Sequence, residues 1–218
     1  SIKEKFMNDT QNNIDILDHP LLKHKLSLMR DKNTESVVFR ELMREAGIIL
    51  GVEATRSLKT IRKSIETPLE RMDGDFLKQP EPAVISILRA GNGLLDGILK
   101  IIPQAAVGFL GMSRDHETLE PVGYYQNLPK EMNNRSVIIV DPMLATGGSG
   151  ISATNIVKKS GCSSITFMCL LAAPEGLEKF TKAHPDVRLV TGSLDRELNS
   201  KGYILPGLGD AGDRIYGT

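Results

Sequence analysis

The sequence predicts an α/β protein built on a parallel sheet with helices covering both faces. Two observations predict it. Four segments, AVISIL (83–88), SVIIVD (136–141), SITFMCLLAA (164–173) and VRLVTGSL (187–194), are almost continuously apolar, as strands buried on both faces must be. Three of them are followed by helical patterns, GLLDGILKII (93–102), SGISATNIVKKS (149–160) and EGLEKFTKAH (175–184). Strands alternating with helices in this way build a parallel sheet through crossovers.

Taken in chain order, residues 1–15 are polar and read as a loose arm, too hydrophilic to be a secretory apolar region. The start at Ser1 rather than Met reads as a processed or engineered start. Asn33 or Thr34 can cap a helix over TESVVFRELMREAGIILGVEATRSL, whose apolar face is predicted to run through Val38, Leu42, Ala46 and Ile49. The stretch 64–78, SIETPLERMDGDFLK, reads as a β-hairpin turning at Asp73-Gly74. Residues 82–200 then carry the strand–helix core, and 201–218 form a small closing unit, all within one domain spanning 1–218.

Composition narrows the function. Twenty-seven basic residues balance 27 acidic ones, so no polyanion is called for and nucleic acid is not an expected partner. No apolar run approaches the ~18 residues of a membrane span. Cys162 and Cys169 make neither a disulfide framework nor a zinc site and read as core residues of a protein in a reducing, cytoplasmic compartment. His19, His24 and His184 lack metal-ligand spacing.

The loops after the strands carry the chemistry, since ligands of open α/β sheets sit beyond the carboxyl ends of the strands. Gly148-Ser149-Gly150-Ile151-Ser152-Ala153 matches a dinucleotide fingerprint, but too many residues separate it from its strand. Gly207-Leu208-Gly209-Asp210-Ala211-Gly212 matches it too, with no room for a following helix and acid. No Lys-Ser/Thr follows either run, which excludes a P-loop. Instead, Thr146, Gly147 and Gly148, with the helix opening near Ser149, make a cradle for a phosphomonoester. Asp141, at the strand tip, can accept from sugar hydroxyls. Arg89 beside Gly91 and Gly93, and Arg114 in the polar stretch 111–125, suit a second phosphate group. Jointly they describe a ligand with phosphates at both ends of a sugar.

DPMLATGGS (141–149), ILRAG (87–91), RDHETLEPVGYY (114–125), CLLAAPEG (169–176) and KGYILPGLGDAGDRIYGT (201–218) together resemble the uracil phosphoribosyltransferases, with LMRDKNT and PGLGDAGDR the most specific segments. The resemblance covers nearly the whole chain from Asp18 onward. It implies a type I phosphoribosyltransferase fold with a β-hairpin arm and a uracil-binding hood at 201–218. It further implies transfer of phosphoribose from phosphoribosyl pyrophosphate (PRPP) to uracil with Mg²⁺, giving UMP and pyrophosphate in pyrimidine salvage. On this resemblance the PRPP loop is Asp141, Pro142, Met143, Leu144, Ala145, Thr146, Gly147, Gly148 and Ser149, with Asp141 on the ribose and 146–149 on the 5′-phosphate. Arg89 and Arg114 meet the pyrophosphate. Ala145, Tyr203, Ile204, Gly209, Asp210 and Ala211 line the uracil site, Asp210 either as a base or as a shaper of the loop. Mg²⁺ is held mainly by PRPP and water, since no dense carboxylate cluster is present. The resemblance also implies a homodimer or homotetramer, and a GTP effector as in some members. Asn92, Ser113 and His116 depart from the family's usual residues. Two rivals share the fold: an RNA-binding regulator, which needs a basic face, and a nucleotide sensor without turnover.

Overall fold

The computed structural model describes residues 13–114 and 121–218, the side chains of Arg114 and Pro121 excepted. Its centre is formed by strands β4 (Ala83–Leu88), β7 (Ser136–Val140), β9 (Ser164–Ala172) and β10 (Arg188–Leu194). They are flanked by β1 (Ile14–Ile16) at one edge and by β5 (Ala106–Arg114) and β6 (Pro121–Asn127) at the other. The order is β1-β10-β9-β7-β4-β5-β6, with the short β8 (Met143–Leu144) added beside β9. All pairings are parallel except that of β5 with β6.

Period-two alternation sends Val84, Ile138, Val140, Met168 and Leu170 into one core, and Ala83, Ile85, Val137, Ile139, Phe167 and Cys169 into the other. Helices α1 (Pro20–Arg30), α2 (Ser36–Ala54) and α3 (Gly91–Ile101) cover the first core. Helices α4 (Gly148–Lys158) and α5 (Pro174–Ala183) cover the second. Both sides of each central strand are therefore dry, which is why the sequence there is apolar without a break. Among the described residues no helix is long and apolar enough to cross a membrane. Cys169 is fully buried, Cys162 only half-buried, and both are free thiols.

Five sequence expectations need correction. Residues 14 and 15 are not loose: β1 pairs with β10, and Arg188 Nε bonds Asp15 Oδ2 at 2.7 Å. Neither Asn33 nor Thr34 caps α2. Glu35 stands at its N-cap without a side-chain bond, while the Thr34 hydroxyl donates to Leu28 O at 2.6 Å and the Asn33 N–H to Asp31 Oδ1 at 2.9 Å. The buried face of α2 runs through Phe39, Leu42, Met43, Ala46 and Leu50, so Val38 is exposed and Ile49 only partly covered. The large side chains Phe39 and Met43 take the interior, turning the helix away from the predicted stripe.

The hairpin is real but longer, β2 (Thr60–Glu66) against β3 (Arg71–Leu77), and it does not turn at Asp73-Gly74. Thr67 makes the turn. Its hydroxyl oxygen accepts from the N–H groups of Leu69 and Glu70 at 3.1 and 3.0 Å, and its own N–H donates to Glu70 O at 2.9 Å. Pro68, with φ already fixed, favours the same bend. Gly74 instead pairs with Lys63 inside the ladder, where a side chain would crowd Phe76 and Ile65. The closing unit likewise begins before 201: β11 (Glu197–Leu198) pairs with β12 (Ile204–Leu205), ahead of α6 (Ala211–Tyr216).

Helices α2 and α3 touch backbone to backbone. A Cβ on Gly97 would stand 2.1 Å from Arg44 O, and one on Gly47 2.6 Å from Leu94 O. Gly97→Ala is therefore expected to cost about 2–3 kcal/mol by overpacking, whereas Gly123→Ala, whose nearest neighbour would be 3.8 Å away, should stay within about 0.5 kcal/mol of the parent. Denaturant melts of the two variants check this.

Candidate active site

Strand β4 pairs with β7 in parallel from Ala83↔Val137 to Ser86↔Val140. Arg89 follows β4 and Asp141 follows β7, so the two side chains leave neighbouring strand tips. The chain runs from β4 through α3 towards β5, and from β7 through α4 towards β9, on opposite faces and in opposite directions. This is the point where strand order reverses and a crevice opens. A cleft of about 240 Å³ lies there, lined by Arg89, Ala90, Asp141, Met143, Asp210, Ala211 and Gly212.

The side chain of Arg89 is 57% exposed, with Nη2 3.7 Å from Asp213 Oδ1 and its guanidinium 5.6 Å from the Tyr216 ring centre. The Tyr216 hydroxyl donates to Arg89 O at 3.0 Å, tying α6 to this turn. Asn92, one turn on, accepts from the buried Ser86 hydroxyl at 2.8 Å. Its polarity thus satisfies a core hydroxyl. Ser113 lies on β5 with its hydroxyl 3.4 Å from Val122 O. The Arg114 side chain and His116 lie outside the described residues.

Asp141 is partly accessible as a residue, yet protein crowds its carboxyl. Burial pushes that group up to about 7, and the Met143 N–H, 3.5 Å from Oδ1, offsets only a little of this. Beyond it the loop is strapped to the sheet. Pro142 O accepts from Leu170 N and Leu171 N at 2.9 and 3.0 Å, and Leu144 O from Ala173 N at 2.9 Å. Gly147, at φ +84°, caps α4 with no side chain, and its carbonyl takes the Ile151 N–H at 2.9 Å. The helix therefore opens on an N-cap that brings no side chain of its own to the first N–H groups, an arrangement that suits an anion. Gly176 fits beneath; a Cβ there would stand 2.2 Å from Ala145 O.

On the opposite wall, Gly209 is at φ +83° and Asp210 caps α6, its Oδ1 accepting from Asp213 N at 2.8 Å. The structure thus brings Arg89, Asp141, Met143, Asp210 and Ala211 to one cleft, with Ala145, Thr146, Gly147, Gly148 and Ser149 on the loop that continues from Met143. Leu144 and Ile204 bury their side chains in the two cores. Tyr203 is exposed, and its N–H bonds Asn199 Oδ1 at 3.0 Å.

Three residues escaped the sequence reading. Arg30 grips Asp195 in two bonds of 2.6 and 2.7 Å. Burial alone would raise the Asp195 carboxyl, but Arg30 beside it, with the Gly207 N–H and the Ser193 hydroxyl, holds it below the usual range. Arg214 donates to Met29 O, to Leu208 O at 3.0 Å and to Asp31 O at 2.7 Å, and lies 4.5 Å from the Phe39 ring centre. The signal was present in LMRDKNT and PGLGDAGDR, the two segments that these arginines join.

Comparison with known proteins supplies the family and the fold. The family model for uracil phosphoribosyltransferase matches residues 16–218. The chain is similar to the uracil phosphoribosyltransferase of Paracoccus denitrificans (strain Pd 1222), 54% identical over 96% of this chain and 99% of that one. Among solved structures, the AQ2163 protein of Aquifex aeolicus superposes with a TM-score of 0.89 at 40% identity, covering 93% of this chain and 97% of its own. Adenine phosphoribosyl transferase of Trypanosoma brucei shares the fold, with a TM-score of 0.58 at 16% identity over 91% and 89% of the two chains. The fold is that of the type I phosphoribosyltransferases.

The Asp141 carboxyl makes a prediction about stability. Its pKa is about 7 folded, against 3.8 for an ordinary aspartate. Between those values the folded chain binds more protons than the unfolded one, so stability falls as pH rises from about 4 to about 7. Asp141→Asn removes this burden. The ligand-free variant is expected to be about 2–4 kcal/mol more stable than the parent at pH 8, with no difference below pH 4. Denaturant melts across that range check it.

Proposed function

The chain belongs to the uracil phosphoribosyltransferase family, and on that premise we propose that it transfers the 5-phosphoribosyl group of PRPP to uracil, releasing pyrophosphate and forming UMP. The observation that carries the reading is the meeting of Arg89, Asp141 and Asp210 at one cleft, on the loop system that leads into the glycine-capped start of α4. In the reaction N1 of uracil bonds to C1′ of the ribose, the C1′–oxygen bond to pyrophosphate breaks, and the N1 proton is lost. Positive charge develops on the ring and negative charge on the leaving group.

The residues match that charge pattern. Asp141 orients the ribose by accepting from its hydroxyls, and their donation favours its ionised form against the burial that opposes it. Arg89 and Arg114 stabilise the departing pyrophosphate, and the 146–149 turn with the start of α4 holds the 5′-phosphate. Among the described residues no group of three or more His, Cys, Asp or Glu side chains could form a metal cage. Two carboxylates at one cleft, Asp141 and Asp210, suit Mg²⁺ that arrives largely on PRPP oxygens and water. When bound, Mg²⁺ supplies neutralisation of the pyrophosphate charge.

Uracil offers O2, N3–H and O4 to the backbone of the 204–211 loop. Cytosine would present a donor where an acceptor is needed, and the unpaired groups would penalise it. The capping bond from Asp213 N to Asp210 favours a shaping role for Asp210 over that of a base.

The hairpin supports self-association. One face of the ribbon carries Ile61, Ile65, Met72 and Phe76, with Ile61 opposite Phe76 and Ile65 opposite Met72; all four are exposed. A two-stranded ribbon is at best marginally stable alone, and a second copy of the chain would cover this stripe.

Activity assays and sedimentation test the reading. Incubating the chain with uracil, PRPP and Mg²⁺ should yield UMP. Asp141→Asn should lower kcat/KM for PRPP about a hundredfold or more, and an unchanged value contradicts the ribose role. Asp210→Asn, which can still cap α6, should keep turnover within about tenfold, whereas a loss near a thousandfold with uracil binding intact makes it the base. In sedimentation, Phe76→Glu should shift an oligomeric parent towards monomer; a monomeric parent rules out the self-association.

A further inference from the structure

We infer that Arg30 and Asp195 are a positioning pair that sets the backbone of the 204–210 loop for the nucleobase, an inference that rests on the uracil reading of that loop. The pair holds both polar groups of one residue. Gly207 N donates to Asp195 Oδ2 at 2.9 Å, and Gly207 O accepts from Arg30 Nη1 at 2.8 Å. The same Arg30 nitrogen and its neighbour grip the two Asp195 oxygens at 2.7 and 2.6 Å, and the Ser193 hydroxyl adds a bond of 3.1 Å. Such bidentate, charge-assisted bonds fix orientation as well as distance.

The loop needs an outside reference. Gly207 and Gly209 both sit at positive φ, +60° and +83°, so the segment can bend in ways that most sequences cannot. The Asp195 carboxylate supplies the reference, because Asp195 N donates to Ala172 O at 2.9 Å at the end of β9. The next residue, Ala173, donates to Leu144 O at 2.9 Å, on the loop proposed to hold PRPP. One strand end therefore registers both halves of the site. Arg30 and Asp195 lie outside the cleft lining, so they act through Gly207 rather than on a reacting atom.

Steady-state kinetics of Arg30→Lys and Asp195→Asn test the inference. Lysine keeps the charge of Arg30 but cannot form the fork. For each folded variant KM for uracil should rise roughly tenfold or more, the size of one lost charge-assisted bond. KM for PRPP should stay within about twofold and discrimination against cytosine should fall. The rise in melting temperature caused by PRPP alone should match the parent's, which reports the phosphate half of the site independently. If Asp195→Asn fails to fold, Arg30→Lys carries the test. An unchanged KM for uracil in Arg30→Lys overturns the inference, as does a parallel rise in both KM values, which would make the pair a support of the whole fold. A parent chain that forms no UMP sinks the functional reading first and this inference with it; an active parent with an indifferent Arg30→Lys sinks the inference alone.

Discussion

The parallel pairing of β4 with β7 is the constraint on which the rest depends. These strands are neighbours in space although a helix and two other strands separate them in the chain. Their chains depart to opposite faces, so nothing in the sheet itself fills the space above their tips. Arg89 and Asp141 face that space because each is the residue directly after its strand. Gly91 keeps the two turns close: an added Cβ would meet Ser86 Oγ at 2.6 Å and Val140 O at 2.7 Å. A bulkier residue there would push α3 from the tip of β7 and separate the guanidinium from the carboxyl.

The same constraint accounts for the unfavourable setting of Asp141. A carboxyl at the tip of a central strand is surrounded by protein, which raises its pKa to about 7. Asp195 shows the contrast within one molecule. As a residue it is buried where Asp141 is partly accessible, yet Arg30, Gly207 N and Ser193 hold it ionised. Among the described residues no arginine offsets the burial of Asp141. A cation pairing with Asp141 would lower its cost and would also compete with the ribose hydroxyls it is proposed to receive, so destabilisation at this position is a consistent companion of binding.

What was legible in the sequence follows from how local each determinant is. The four central strands were readable because burial on two faces leaves a continuous apolar run. The segment from Asp141 to Ser149 was legible as a unit because its carboxylate, small turn and helix start are contiguous in the chain. The hairpin turn was misplaced because Asp73-Gly74 is a strong local signal, while the Thr67 hydroxyl forms its bonds only once the bend exists. The buried face of α2 was misjudged because alternative apolar stripes fit its pattern, and tertiary packing on Phe39 and Met43 decided between them. The Arg30–Asp195 pair spans 165 residues, and no periodicity or spacing can reveal such a contact.

The run Gly207-Leu208-Gly209-Asp210-Ala211-Gly212 shows how one pattern can serve another geometry. In a dinucleotide fold its glycines let a helix N-terminus approach a pyrophosphate. Here the first glycine makes a turn so tight that a Cβ would lie 2.0 Å from Ile204 O. The second, at φ +83°, carries the chain to Asp210. The third opens α6 beside the Asp210 carboxylate and Arg89, where a Cβ would stand 3.2 and 3.7 Å from their atoms. The glycines thus bring main chain up to the cleft. Main-chain groups form a hydrogen-bonding edge that side-chain motion cannot blur, which suits the proposed discrimination between uracil and cytosine. Arg30 and Arg214 bind the carbonyls of Gly207 and Leu208 from outside, so the loop's freedom is spent on shape and removed from motion.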